Sequence, residues 1–275
     1  MTVSWRRWFP LALALLAGAA SAEDAPRRVV SMNLCTDQMA MLVAAPGQLY
    51  SVSSLAVDGM FSAMAGQAAG YAVNHGQAEE IFLMEPDLVL AGTYTTRATV
   101  ELLRKLGIRV EEFRPENSFD DVRANLRRLG AVLGREERAA EIVAAMDADL
   151  AALSGEGASG KTAAAYYANS STSGAGTFMD AVIVASGLTN IADRLGFAGP
   201  ARLPLELLVL AAPDVLIDSG RESEAPALAY ENYVHPAYRA LVEAGTRAEI
   251  PARYTVCGGP FTMEAVRLLR DAARR

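Results

Sequence analysis

Two similar stretches of sequence decide the fold, and they lie 127 residues apart, counted from Glu79 to Glu206. The first, residues 79–90, reads EEIFLMEPDLVL, and the second, residues 206–217, reads ELLVLAAPDVLI. Each begins with a glutamate, which favours the positively polarised start of a helix, and reaches a proline, which cannot continue the helical hydrogen bonds. Each then ends in an apolar run that is typical of a buried parallel strand. The doubled helix–strand pattern predicts two similar α/β lobes.

Helical periodicity between the two copies predicts a pair of long helices. Ser118 and Asp121 have the spacing of a capping box and open the first of them. A second helix, over residues 135–153, lies where a connector between two lobes would lie. We therefore expect an N-terminal lobe at 28–134, an inter-lobe helix at 135–154 and a C-terminal lobe at 160–275. Further strands are predicted at 28–32, 108–113, 162–168 and 253–256, and further helices at 36–43, 100–106 and 262–273.

The amino-terminal segment has the features of a secretory signal peptide. Arg6 and Arg7 precede an apolar run over residues 8–20, and small residues follow at Ala20 and Ala22. The run is too short to span a bilayer, which takes ~20 apolar residues. We expect cleavage after Ala22, a signal peptide at 1–22 and a periplasmic mature protein.

Composition excludes several classes of protein. The chain has 275 residues, 52% of them hydrophobic, which is too apolar for a disordered chain. It carries 25 basic against 32 acidic residues, a net charge of -7, and nucleic-acid backbones require a basic surface instead. We expect no nucleic-acid partner. Residues 155–162 match the letters of a nucleotide-binding P-loop, but a helix precedes them and a strand follows, which is the wrong order, so we interpret them as a linker.

The few cysteine and histidine residues leave three possibilities open. Cys35, His75, His235 and Cys257 are the whole set, and none is paired at a close metal-ligand spacing. Cys35 and Cys257 follow predicted strands, where α/β sheets bind ligands. The first possibility is a disulfide between them in the exported protein. The second is direct contact with a ligand or with a metal, together with His75. The third is ordinary packing without a functional role. No nucleophile elbow is present, and carboxylates such as Asp37 more often cap helices than act as bases, so we predict no enzymatic activity and no catalytic residues.

The order of these motifs resembles one family. Residues 28–31 (RVVS) open the first strand, residues 76–81 (GQAEEI) lead into PDLVL, a long central helix follows, and residues 204–206 (PLE) lead into PDVLI. From about residue 27 to the end, this order resembles the periplasmic binding proteins of ABC importers for vitamin B12 and ferric siderophores, the helical-backbone class (class III).

The resemblance implies an α/β fold of two Rossmann-like lobes, each with a central, mainly parallel sheet, joined by a single long helix with a ligand cleft between them. It also implies a small lobe closure, no intrinsic cofactor and a monomer. Glu79 and Glu206 would dock on arginines of an ABC permease that is served by a separate ATPase subunit.

Residues predicted to line the cleft follow the strands of both lobes. Aromatic rings there either stack on a macrocycle or are ordinary core or surface residues. Arginines there either bind carboxylate or phosphate groups of a ligand or are solvated at the surface. The candidates are Asn33, Cys35, Phe61, His75, Tyr94, Arg97, Ser170, Arg221 and Cys257. The function expected is capture of a metal-bearing chelate, a corrinoid or ferric siderophore, for an ABC permease. The alternatives are a haem or metal-ion binding protein that uses His75, Tyr94 or the cysteines, and an exported metal-dependent enzyme.

Overall fold

The computed structural model describes residues 25–154, 160–218 and 228–275. The predicted signal peptide and Arg221 lie outside these ranges, as does most of the P-loop-like stretch. The described N-terminal lobe has strands β1 (Val29–Ser31), β2 (Leu49–Ser53), β3 (Ala72–Asn74), β4 (Leu88–Gly92) and β5 (Val110–Phe113). Its helices are α1 (Leu34–Val43), α2 (Ala65–Ala68), α3 (Ala78–Leu83), α4 (Arg97–Lys105) and α5 (Phe119–Leu133), and α6 (Glu136–Ser154) leads out of it.

The described C-terminal lobe repeats the alternation of strand and helix. Its strands are β6 (Thr162–Ala165), β7 (Ser171–Ser173), β8 (Thr189–Asn190), β9 (Pro200–Arg202), β10 (Val215–Asp218) and β11 (Thr246–Glu249). Its helices are α7 (Phe178–Ala185), α8 (Ile191–Arg194), α9 (Leu205–Ala211), α10 (Glu231–Val234), α11 (Pro236–Ala244) and α12 (Thr262–Arg274).

Each lobe is built on a parallel sheet. The N-terminal sheet has five strands in the order β3-β2-β1-β4-β5. The main sheet of the C-terminal lobe has four strands in the order β11-β10-β6-β8, and every neighbouring pair in both sheets is parallel. Strands β7 and β9 form a separate antiparallel pair. In the N-terminal sheet the strand order reverses between β1 and β4, and such a switch point places ligand-binding loops at the carboxyl ends of the strands. The predicted fold class is confirmed.

The repeated sequence stretches fold alike. Helices α3 and α9 both precede a buried strand, and Glu85 and Ala212, at matching positions, both have positive φ (49° and 42°). Asp87 accepts hydrogen bonds from the backbone nitrogens of Arg27 (2.6 Å) and Arg28 (3.0 Å), just before β1. Asp214 does the same for Thr162 (2.7 Å), the first residue of β6. Each proline–aspartate pair therefore joins two neighbouring strands of its own sheet.

One apolar core extends through both lobes along the long helices. It includes Leu126 of α5 and Met146 of α6, with Val29 from the first sheet and Ala163 and Val215 from the second. Helix α6 contacts α1 in the N-terminal lobe and α7 and α12 in the C-terminal lobe. The ion pair of Arg123 with Asp147 (2.7 Å) also holds α5 against α6. The connector is therefore part of a packed layer between the lobes.

The predicted strand at 253–256 is wrong. Ala252–Tyr254 forms a 3-10 turn, and the neighbouring strand β11 already ends at Glu249. Pro251 directly precedes the turn, and because proline has no backbone N–H to donate, it does not extend the ladder of this edge strand. Cys257 therefore lies in an irregular loop between β11 and α12.

Candidate functional site

A disulfide connects the facing edges of the two lobes. Cys35 follows β1 as the second residue of α1, and Cys257 lies in the loop before α12. The two residues are bonded, with 5.2 Å between their Cα atoms and a sequence separation of 222. This decides the open question about the cysteines. It also shows that the carboxyl end of β1 faces the C-terminal lobe, where the sequence predicts the cleft.

The structure corrects the possible metal set of Cys35, His75 and Cys257. Sulfur atoms bonded in a disulfide carry no thiolate, which is the form that binds metals. His75 contacts Glu80 instead, with 3.1 Å between Nδ1 and Oε1. Burial alone would raise the pKa of Glu80, but hydrogen bonds from the His75 backbone and ring outweigh it and lower that pKa. Within the described ranges, no group of three or more histidine, cysteine, aspartate and glutamate side chains could hold a metal ion.

Asn33 organises the turn that carries Cys35. Its side-chain oxygen caps α1 by accepting hydrogen bonds from the backbone nitrogens of Cys35 (3.1 Å) and Thr36 (3.5 Å). The amide of Asn33 lies against Gly92 at the end of β4, where an added Cβ would come within 2.9 Å of Nδ2. Asn33 therefore lies between the carboxyl ends of β1 and β4 at the switch point. Its hydrogen bonds fix the first turn of α1, which contains Cys35.

Two predicted ligand residues after β4 project into solvent. The side chain of Tyr94 is 88% exposed, more than any other aromatic residue in the described ranges. The side chain of Arg97 is 91% exposed and pairs loosely with Glu101 (3.8 Å) across one turn of α4. Phe61 is half-buried in a turn whose backbone it closes by donating to Asp58 (3.1 Å). Tyr94 and Arg97 are thus free of strong protein partners, as contact residues for a ligand would be.

An open pocket in the C-terminal lobe contains Ser170. Ser170 and its neighbour Asn169 both have positive φ (57° and 58°), a conformation that costs energy for residues with a side chain. The hydroxyl of Ser170 lies 2.9 Å from the hydroxyl of Tyr166. The pocket has a volume of about 550 Å³ and is lined by Asn169, Ser170, Arg202, Pro204, Leu205, Glu206, Ala229, Glu231, Asn232 and His235.

A tyrosine cluster beside this pocket was missed by the sequence analysis. Tyr166 packs against Tyr238 in a stacked pair with 5.7 Å between ring centroids, and Tyr233 lies 5.2 Å from Tyr238. Burial raises the pKa of Tyr167 to about 12, although a hydrogen bond with Ser173 lowers it. These tyrosines lie beyond the carboxyl end of β6, which is the ligand side of a parallel sheet. The only signal in the sequence is the density of tyrosine at 166–167 and 230–238.

The predicted docking residues lie on matching helices. Glu79 is the second residue of α3 and Glu206 the second of α9, and both are exposed. One helical turn further on, Leu83 is 79% exposed and Leu210 is 81% exposed. Since residues four apart lie on one side of a helix, each lobe presents a glutamate with an exposed leucine beside it.

The described chain shows no membrane-spanning element of the helical kind. Among residues 25–154, 160–218 and 228–275, none of the helices is both long and apolar enough to cross a bilayer.

Comparison with solved structures supports this architecture. A possible iron-binding (periplasmic solute-binding) protein from Staphylococcus epidermidis ATCC 12228 is similar, with a TM-score of 0.74 at 17% identity, over 91% of this chain and 99% of that one. The periplasmic vitamin B12 binding protein BtuF of Vibrio cholerae is similar with a TM-score of 0.67 at 18% identity, over 90% and 97% of the two chains. At these identities the likeness concerns the fold.

Sequence comparison identifies the family. A curated cobalamin-binding protein of Halobacterium salinarum (strain ATCC 29341 / DSM 671 / R1) is 29% identical over 207 residues, 72% of this chain. The match covers 55% of that relative, so the chain spans about half the length of the curated relatives it matches. The family model described as periplasmic binding protein matches residues 29–240, well over half of the chain. The resemblance seen in the sequence is thereby confirmed, and the chain belongs to the periplasmic binding protein family.

Proposed function

We propose that this protein is a periplasmic solute-binding protein that captures a metal-bearing chelate, with a corrinoid favoured over a ferric siderophore, and delivers it to an ABC permease. The observation that carries the proposal is the pair of parallel sheets whose carboxyl edges face each other across the Cys35–Cys257 bond. Such edges bind ligands through the loops that follow the strands. Export by the signal peptide at 1–22 would place the protein in the periplasm.

The chemistry of the facing loops supports a large, partly aromatic ligand. Tyr94 offers an exposed ring on one side, and the pocket with Ser170 offers hydroxyl, amide and guanidinium groups on the other. A planar macrocycle with polar side groups matches both surfaces, because aromatic rings stack on its faces and hydroxyls bind its edges. The 29% identity to a cobalamin-binding protein favours a corrinoid among such ligands. The alternative of an exported metal-dependent enzyme gains no support from the described residues, since no group of three or more histidine, cysteine, aspartate and glutamate side chains among them could hold a metal ion.

Titration tests the ligand assignment. Purified protein without the signal peptide is titrated with cyanocobalamin, hemin and a ferric hydroxamate, and binding is followed by calorimetry and by the absorption spectrum of each compound. We expect saturable one-to-one binding of cyanocobalamin. Preferential binding of hemin would establish the haem alternative, and no binding of any of the three would refute the proposal.

A matched pair of substitutions tests the position of the site. Tyr94→Ala removes an exposed ring beside the proposed cleft, and Phe82→Ala removes a 46% exposed ring on α3, away from it. A stacking contact contributes ~0.5–1.5 kcal/mol, which corresponds to roughly 2- to 12-fold in Kd. Tyr94→Ala should weaken cyanocobalamin binding by about this factor, while Phe82→Ala should leave it unchanged. Equal affinities for the two variants would place the ligand elsewhere.

The permease partner is proposed from the two matching helices. Glu79 and Glu206 are exposed acidic groups on related elements of the two lobes, and each has an exposed leucine one turn away. Exposed apolar side chains beside a charge fit a partner surface that offers basic residues next to apolar ones. The association should weaken with salt, because exposed ion pairs are screened over ~10 Å at 0.1 M ionic strength.

A further inference from the structure

The disulfide joins the lobes at a point distant in sequence from the helix that connects them. Cys35 belongs to the turn after β1, and Cys257 belongs to the loop that leads into α12. The connecting helix α6 ends at Ser154, about midway along the chain between the two cysteines. The lobes are thus attached twice, once by the chain itself and once by a covalent bond at the facing edges of the sheets.

The loop that carries Cys257 is also pressed against the N-terminal lobe. A Cβ added to Gly258 would lie 2.2 Å from Cγ2 of Val122 and 3.3 Å from Cβ of Glu116. Glu116 is buried and accepts hydrogen bonds from Nδ2 of Asn125 (2.6 Å) and from the backbone nitrogen of Gly258. The disulfide and the Glu116 contact therefore hold adjacent residues of one loop, and together they fix the distance between the lobes at this place.

The two cysteine residues differ in exposure. Cys257 is 1% exposed, whereas Cys35 is partly exposed at the facing edges. A small thiol reaches the bond from the side of Cys35, and thiol–disulfide exchange requires that kind of approach to one sulfur. The bond is thus open to reduction while the surrounding core stays closed.

We propose that the Cys35–Cys257 disulfide is a redox-sensitive cross-link that holds the base of the inter-lobe cleft at the width required for binding. The oxidised protein then binds its ligand more tightly than the dithiol form. The proposal extends the proposed function and rests on it only for the identity of the ligand. Without the bond, the loop keeps only non-covalent contacts with the N-terminal lobe, namely the hydrogen bond to Glu116 and the packing against Val122. Ordering the two lobes on binding then costs part of the free energy of binding.

The redox step is a two-electron exchange with a dithiol. A thiolate of the reductant attacks Cys35 Sγ, the S–S bond breaks and the Cys257 sulfur leaves and takes up a proton. The second thiol of the reductant then attacks the mixed disulfide, which releases Cys35 as a thiol and leaves the reductant as a cyclic disulfide. Because linkage is reciprocal, any factor by which oxidation tightens ligand binding must equal the factor by which bound ligand disfavours reduction.

The first experiment needs no ligand. Hydrogen–deuterium exchange is compared between the oxidised protein, the protein reduced with dithiothreitol, and the Cys35→Ser/Cys257→Ser variant with and without dithiothreitol. We expect faster exchange after loss of the bond in peptides that contain the Asp37 amide, bonded to Asn33 O, and the Gly259 amide, bonded to Thr262 Oγ1. A peptide spanning β10 is the internal reference. Dithiothreitol should have no effect on the double variant, which excludes general effects of the reductant.

The second experiment measures the coupling. Reductant is removed anaerobically, and cyanocobalamin is titrated into the oxidised, reduced and double-serine proteins. We expect Kd to rise about tenfold when the bond is absent, within the range of couplings between distinct sites. We also expect saturating cyanocobalamin to shift the dithiothreitol reduction equilibrium towards the disulfide by the same factor.

The outcomes separate this inference from the proposed function. Equal rates of hydrogen–deuterium exchange and equal Kd for cyanocobalamin in the oxidised and reduced proteins would overturn the proposed role of the cross-link. Loss of the far-ultraviolet circular dichroism signal on reduction would also overturn it, because the bond would then be needed for folding. If no form binds cyanocobalamin, the exchange data still decide whether the bond controls the lobes, and only the ligand assignment fails.

Discussion

Asp37 illustrates how burial changes the chemistry of one residue. Asp37 lies in the first turn of α1 and is fully buried. Ser53 Oγ donates a hydrogen bond to its Oδ2 (2.5 Å), and its Oδ1 has no hydrogen-bond partner among the described residues. Burial raises its pKa from 3.8 to about 7, against the hydrogen bonds that lower it. A general base must reach a bound substrate, and Asp37 is enclosed inside the N-terminal lobe. Its effect is on stability.

The pH dependence of stability tests this residue. The folded pKa lies above the unfolded value, so the folded state holds the proton more tightly, and the free energy of unfolding falls as pH rises from about 4 to about 7. Asp37→Asn removes this dependence, because the amide stays neutral. The difference in unfolding free energy, variant minus wild type, should therefore increase between pH 4 and pH 7.5, by on the order of 1–3 kcal/mol. Both unfolding free energies are measured by urea denaturation. A variant-minus-wild-type difference that stays constant across this pH range would contradict the raised pKa of Asp37.

Gly258 is required by close approach of the backbone to a helix. An added Cβ would lie 2.2 Å from Val122 of α5 and 3.2 Å from Phe178 of α7, both in the core. Gly258→Ala should lower the free energy of unfolding by ~1–3 kcal/mol, as overpacked cores do. Gly66→Ala is the matched control, since no atom lies within 4 Å of its added Cβ and alanine favours the helix it belongs to. Equal melting temperatures of the two variants would show that the loop can move away.

At the scale of the element, α5 depends on Ser118, the residue that caps its amino-terminal end. Ser118 Oγ accepts a hydrogen bond from the backbone nitrogen of Asp121 (3.1 Å), and Asp121 Oδ2 in turn accepts from Asn117 N (3.0 Å) and Ser118 Oγ. Ser118→Ala should lower the melting temperature, through a loss of ~1 kcal/mol in unfolding free energy. Ser118→Asn, which is also a good cap, should recover most of it. Failure of asparagine to recover stability would mean that the hydroxyl acts outside the cap.

Local patterns in the sequence predict these elements well. The helix–proline–strand units of α3 with β4 and α9 with β10 follow from neighbouring residues, as does the cap at Ser118. Helix α1 begins at Leu34, two residues before its predicted start, because the Asn33 cap was not recognised. The strand predicted at 253–256 is wrong because a short sequence pattern does not show whether a neighbouring strand is available to pair with it.

The candidate site is less predictable because it depends on contacts between distant residues. The pairing of Cys35 with Cys257 spans 222 residues, and nothing in either local sequence selects it. The tyrosine cluster likewise assembles residues from 166–167 and from 230–238. By contrast, the exposure of Tyr94 and of Glu79 and Glu206 agrees with their place in the loops and helix starts that the sequence predicted. Their roles remain predictions.

For the whole molecule, the repeat predicts one interaction surface with a contribution from each lobe. Glu79→Arg combined with Glu206→Arg should abolish ligand uptake into proteoliposomes that contain the permease, because both acidic groups become basic. Because Glu206 also lines the pocket that contains Ser170, the affinity of this variant for cyanocobalamin is measured separately, and uptake is compared at a ligand concentration that saturates each protein.

A variant with the same change of charge controls for electrostatics at long range. Glu137→Arg combined with Glu243→Arg alters two exposed glutamates on α6 and α11 instead. This variant should retain uptake near the wild-type rate. If both double variants lose uptake equally, net charge rather than the proposed surface controls docking. If the Glu79/Glu206 variant still supports uptake at the wild-type rate, docking through these glutamates is excluded.

The disulfide also constrains how the molecule matures. If the protein is exported as proposed, Cys35 leaves the export channel before Cys257, which lies 222 positions further along the chain. For that interval the N-terminal lobe would carry an unpaired thiol, and the bond would close only after the loop before α12 has been delivered. Bonds of this kind form in oxidising compartments. Biogenesis of this protein should therefore depend on thiol oxidases of the cell envelope, and cells that lack them should accumulate chains with alkylatable cysteines.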